Sequence, residues 1–250
     1  MTAWQNQPII RVRKGRYLFT FFINISAGVG GKCSMEGKRL TSYAMEELEC
    51  PKCGHKHSLK KYKVINVTEK AKLKEEIMKN RLYQFSCEEC EYMAPITYDS
   101  LYVDSQRNIM IYMAPVMNAE IKAELEQEKG IDKRLVDNIN DLKEKIMIAD
   151  NHLDDRVIEI IKIMYIDQMK KEMEDDTLLN ILFDYNRDNY CFLVFFQKKG
   201  IGKIPLTREF YRQVEDKYKD AIKEHSMDSF MKVDMEWAGK ILFKNHNKFN

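Results

Sequence analysis

Two short cysteine pairs constrain this chain more than any other feature. Cys50-Pro51-Lys52-Cys53 and Cys87-Glu88-Glu89-Cys90 share one spacing, with 33 residues between them. Two residues between ligands let both sulfurs of a tight turn face one ion. Two such turns, joined by antiparallel strands, complete a tetrahedron of four thiolates. Gly54 follows the first pair, where a chelating turn needs positive φ, and Pro51 fixes the entry to it. The spacing favours one structural Zn²⁺ per chain, held by Cys50, Cys53, Cys87 and Cys90. A disulfide framework, a dithiol redox site and an iron–sulfur cluster are the alternatives. Six cysteines in 250 residues is sparse for a disulfide scaffold. Two matched pairs are more than a redox dithiol requires, and iron–sulfur ligands are usually more closely clustered. No ligand position looks open, so the expected metal is structural rather than catalytic.

His55 and His57 lie just beyond the first pair and could replace a cysteine; with four thiolates present they read as exposed or supporting residues. Cys191 sits in the apolar run Tyr190–Phe196 and reads as a core thiol. Cys33 is a free thiol.

At these residues the chain resembles the CpXC family of bacteria and archaea. The resemblance covers 46–115. It rests on Cys50-Pro51-Lys52-Cys53-Gly54, Cys87, Cys90, Leu101-Tyr102-Val103-Asp104 and Met110-Ile111-Tyr112-Met113-Ala114-Pro115. Asp154-Asp155-Arg156-Val157-Ile158-Glu159 looks like a segment that often follows such a domain. The resemblance implies a zinc-ribbon-like fold and metal ligands but carries no activity. The second motif departs from the family pattern: Glu88 stands for Pro and Glu91 for Gly. A left-handed backbone at Glu91 would cost about 1–2 kcal/mol. Glu88, Glu89 and Glu91 would also repel a thiolate cluster.

The charge is uneven. Residues 1–44 hold seven basic side chains and one acid, which makes them +6; the rest of the chain is −4, for a total of +2. Three readings fit residues 1–45. They are a secretory signal built on Arg11 to Arg16 and the apolar run Tyr17–Ile25, a terminal strand over Phe19–Ile25, or a leader or extension ahead of an initiator at Met45. The third is preferred. Ser26 to Ser34 imitates a phosphate-binding loop, but Ser26 replaces its first glycine and Cys33 its magnesium-binding hydroxyl, so it reads as an ordinary loop.

Elsewhere the pattern is α+β. A zinc-ribbon-like antiparallel sheet with an inserted helix is expected over 46–118, and a helix-rich module with a β-hairpin over 119–250. In the first part, strands are expected at 59–67, 83–85, 95–98 and 108–113, with a helix from Thr68 to Asn80. In the second, Glu120–Glu128 is a short helix, and Asp132 caps a helix carrying Leu135, Ile139, Leu142 and Ile146. Asp154 or Asp155 caps a central helix with Val157, Ile158, Ile160, Ile161 and Met164. Leu178–Tyr185 and Tyr190–Gln197 form a hairpin. Thr207 caps a helix with Phe210, Val214, Tyr218 and Ile222, and a last helix over Phe230–Phe243 carries Trp237. Asp154-Asp155 and Asp175-Asp176 read as helix-end caps rather than acid–base pairs.

No membrane span is expected after residue 45. The expectation is a cytoplasmic zinc-binding protein that works as a protein-interaction module with a protein partner, the last favoured by the balanced charge. Nucleic-acid binding is the alternative, from Lys52, Lys56, Lys60, Lys61 and Lys63 with Tyr62 interleaved, although residues 45–118 hold equal numbers of basic and acidic side chains. A thiol redox or other enzyme is the second alternative, and no Ser-His-Asp or Cys-His constellation supports it.

Overall fold

The computed structural model describes residues 10–11, 39–172, 176–186, 189–224 and 229–246. The expectations placed on Tyr17–Ile25, on Ser26–Ser34 with Cys33, and on Asp175 lie outside them. The chain divides into two compact units, 1–100 and 101–250. The class is mixed α+β, with six α-helices and three sheets among the described residues.

The first unit is built on two antiparallel hairpins. Strands β2 (Ser42–Glu49) and β3 (Lys56–Asn66) pair with Met45 opposite Lys60, so Met45 lies inside a strand. Helix α1 (Lys72–Met78) follows, burying Leu73 and Ile77. A single 3₁₀ turn over Arg81–Tyr83 leads into β4 (Gln84–Ser86), which pairs with β5 (Met93–Thr97); the two residues of β1 (Ile10–Arg11) run parallel to β5. Helix α1 starts later than Thr68. Asn66 Oδ1 accepts the N–H groups of both Thr68 and Glu69, which fixes a turn there, and Ala71 precedes the helix with no side-chain cap. Tyr83 and Tyr98 stack at 4.8 Å beneath the hairpins, and the Tyr83 hydroxyl meets Ser100 Oγ at 2.6 Å.

The second unit contains β6 (Ser100–Asp104), β7 (Ile109–Met113) and β8 (Asp132–Val136), adjacent in that order. Strands β7 and β8 are parallel, and α2 (Ala119–Leu125) lies in the connection between them. Here the expected helix from Asp132 is corrected: Asp132–Val136 is a strand. Leu135 happens to fall on the helical stripe of Ile139, Leu142 and Ile146, but Asn138 accepts the N–H groups of Asn140 and Asp141 and starts the helix α3 (Ile139–Asp150) there.

Helix α4 (Asp155–Glu172) is central, as its apolar circumference predicts: Val157, Ile158, Ile160 and Ile161 are fully buried. Asp154 is its cap, accepting the Arg156 N–H at 2.8 Å. Strands β9 (Leu178–Asn186) and β10 (Asn189–Phe196) form the expected hairpin, and β11 (Gly200–Leu206) adds a third strand that the pattern did not reveal. Asp176 accepts the N–H groups of Lys198 and Lys199 and so pins the turn between β10 and β11. Thr207 caps α5 (Arg208–Lys223) by accepting the Phe210 N–H, and α6 (Met235–His246) carries Trp237.

A chain of alternating charges runs through this core. Arg134 on β8 donates twice to Asp155, at 2.8 Å each. Asp155 meets Lys145 at 3.1 Å, Lys145 meets Glu159 at 3.0 Å, Glu159 meets Lys162 at 3.0 Å, and Lys162 meets Glu144 at 2.8 Å. Glu144 ends the series by accepting the Phe183 N–H of β9. All six side chains are buried, three of each sign. Asp155 therefore belongs to this chain and does not act as a cap. Burial works against its ionisation, but Arg134 and Lys145 outweigh it and hold the carboxyl well below the usual range. Glu159 is lowered in the same way by Lys145 and Lys162.

Removing one member leaves its neighbours charged and buried, so Glu159→Ala should destabilise this unit by about 3–5 kcal/mol in thermal or denaturant unfolding. A carboxylate with a depressed native pKa stabilises the fold above its unfolded value near pH 4, and that contribution is lost as pH falls through the native one. Acid unfolding of the wild type should therefore steepen below about pH 4, and less so in Asp155→Asn.

Candidate metal centre

Each cysteine pair forms the tip of one hairpin in the first unit. The first closes β2 to β3, the second β4 to β5. The two tips have the same backbone plan. Gly54 N–H donates to Cys50 O at 2.9 Å, and Glu91 N–H to Cys87 O at 3.0 Å. Cys50 N–H donates to His55 O and Cys87 N–H to Tyr92 O, both at 2.8 Å. In both turns the residue after the second cysteine is left-handed, Gly54 at φ +74° and Glu91 at φ +57°. The strain anticipated at Glu91 is thus present.

The four sulfurs lie within 4.8 Å of one another. Cys50 and Cys90 are 3.7 Å apart, Cys53 and Cys87 3.5 Å. These separations are far from the ~2.05 Å of a disulfide bond, and all four cysteines are free. A tetrahedral ion with metal–sulfur bonds near 2.3 Å requires sulfur–sulfur edges of about 3.8 Å. The donor set therefore fits a tetrahedral, thiolate-binding metal. Cys50 and Cys87 are buried, Cys90 is half-buried and Cys53 is exposed, so the centre has an inner and an outer side.

The electrostatics of the free site are those of crowded thiols. Burial resists ionisation of Cys50, but the N–H groups of Cys53 and Lys52 and the neighbouring thiols favour its thiolate and lower it to about 7. The His55 N–H favours the Cys53 thiolate, yet burial and the other three sulfurs push that thiol up to about 12. Burial also raises Cys90, against the N–H of Tyr92. One thiolate forms readily, and each further one meets its charge. A bound cation removes that opposition.

His57 is the residue whose place the spacing left open. Its Nε2 lies 3.2 Å from Cys87 Sγ, while its ring packs edge-on against Phe85 at 5.4 Å and against His55 at 4.7 Å. It supports a sulfur of the cluster, and His55 is exposed beside it. Lys52 Nζ reaches across to the Cys90 carbonyl at 3.4 Å, a tie between the two tips that the sequence did not suggest. The rest of the basic run is dispersed. Lys56 pairs with Glu47, Lys61 is buried against Glu46, and Lys60 lies over the rings of Tyr43 and Tyr62.

Fold and centre together define an α+β protein whose four converging cysteines could hold a metal ion. Residues 48–162 match the model of the family described as CpXC protein. The resemblance read from the cysteine motifs and closing strands therefore holds, and the match runs on through Asp154–Glu159 to Lys162. No curated protein and no solved structure matches this chain.

Two outcomes follow from this geometry. Glu91→Gly should relieve the left-handed strain and remove an acid, raising stability by about 1 kcal/mol in thermal unfolding of the metal-loaded protein. His57→Phe keeps the packing but deletes the contact with Cys87, and should weaken metal retention against a competing chelator by about 10–100-fold.

Proposed function

We propose that Cys50, Cys53, Cys87 and Cys90 bind one structural Zn²⁺ in a zinc-ribbon-like unit, and that the protein is an interaction module for another protein. The observation that carries the metal assignment is the convergence of four free sulfurs from two turns with matching hydrogen bonds. Four thiolates favour zinc, which has no geometric preference of its own and takes the tetrahedron offered. All four positions are filled by protein, which supports a structural rather than a catalytic ion. Free thiols in this number suit a reducing compartment, and the cytoplasm is the proposed location. Among the described residues no helix is long and apolar enough to cross a membrane.

The partner reading rests on charge. The lysines that suggested a nucleic-acid footprint are largely engaged by Glu47, Glu46 and the Tyr43–Tyr62 pair. Four thiolates around Zn²⁺ leave two net negative charges, and Glu88, Glu89 and Glu91 add to them. Such a tip repels phosphate backbones and suits a protein surface.

Elemental analysis of the protein purified without added metal should give about one zinc per chain. Cys53→Ser should lose the metal and the fold of the first unit, since metal binding supplies on the order of 10 kcal/mol to such a module. Metal-free protein with unchanged thermal stability would refute the assignment.

A further inference from the structure

We propose that the second unit binds a phosphate-bearing small molecule in a groove on its β10–α5 side, remote in sequence from the cysteine centre. Two adjoining cavities, of about 630 and 410 Å³, share Tyr190 and Arg208 in their walls. Their sizes fall within the range of small-molecule sites. Among the described residues, the charged side chains in their lining are Lys203, Arg208, Arg212 and Glu215, a net charge of +2. A phosphomonoester carries about −1.5 to −2 near neutral pH, so it matches this excess where a carboxylate does not.

One of these cations is oriented without being neutralised. The Arg208 guanidinium lies over the Tyr190 ring at 5.4 Å, an attraction that orients it and leaves its charge available. Arg212, one turn further along α5, is exposed and forms no ion pair among the described residues. Planar guanidinium forks are suited to phosphate oxygens.

His152 completes the opposite wall. It is one of four non-glycine residues with positive φ among the described residues, at +56°. Its Nε2 lies 3.3 Å from Arg107 Nη1, and Arg107 is anchored on Asp150 at 3.2 Å. An arginine only donates, so Nε2 accepts and Nδ1 carries the hydrogen as a donor. The anchored arginine thus contacts a ring that borders the cavity. Glu215 is occupied by the Tyr211 hydroxyl, whose oxygen in turn accepts the Asp154 N–H. That bond holds the one acid of the groove against its wall.

The test is calorimetric titration of the full chain at low salt with inorganic phosphate, with AMP and, at matched ionic strength, with acetate. Saturable binding of phosphate or AMP but not acetate is expected. Tighter binding of AMP assigns the groove to a nucleotide-like ester, and equal binding assigns it to the phosphate alone. Arg208→Ala and Arg212→Ala, both at exposed positions, should each weaken binding about tenfold. Lys219→Ala, an exposed cation elsewhere on α5, should leave it unchanged. Absence of saturable binding, equal binding of acetate, or wild-type affinity in both arginine variants would overturn the proposal. The cysteine centre does not enter into any of these outcomes.

Discussion

The first unit is organised around four sulfurs gathered within 4.8 Å of one another. Hairpin tips hold them there, and the N–H groups of each turn point at the sulfurs and favour their charged forms. These N–H groups supply only part of what four negative charges need. With all four ionised the arrangement would call for a cation, and its geometry could accept one. The two turns are not equal in this respect. Gly54 adopts its left-handed conformation freely, while Glu91 adopts it against its own side chain and brings an acid close to the sulfurs. The two tips share a geometry but differ in backbone cost.

In the second unit charge is handled differently. Six buried side chains alternate in sign, and each carboxylate or ammonium inside the series touches two of the opposite kind. Such a series adds little net stability compared with apolar packing, but it tolerates few alternatives. A one-residue slip of α3 against α4 would set like charges together. The chain of charges thus fixes the alignment of α3, α4, β8 and β9, while Val157, Ile158, Ile160 and Ile161 supply the apolar burial.

What could be read in the sequence was local. Cysteine spacing announces turns because ligand and turn lie within five residues. Helix α5 was legible because Thr207 and the stripe Val214, Tyr218 and Ile222 are a cap and a periodicity in one segment. The strand β8 was hidden because Asp132, Lys133 and Arg134 are charged, yet Lys133 and Arg134 are buried by partners elsewhere in the chain. Asp155 reads as a cap candidate for the same reason: its partners Arg134 and Lys145 lie on β8 and α3. The support of Cys87 by His57 was visible only as proximity to a cysteine pair. The groove at Arg208 and His152 could not be read at all, since its walls come from the turn after α3, from β10 and from α5, which are not neighbours in sequence.

The bond from Phe183 N–H to Glu144 has a consequence for how this protein behaves in company. Strand β9 is an edge of its sheet, and an edge strand offers its unpaired amides to any passing chain. Glu144 takes one of those amides, and Met147 sulfur lies 3.1 Å from another, that of Tyr185. At the opposite edge, β11 contains Pro205, which has no amide hydrogen to give, and Lys203. The three-stranded sheet is thus partly guarded at both borders. At those borders the sheet offers fewer free amides to a neighbouring copy of the chain.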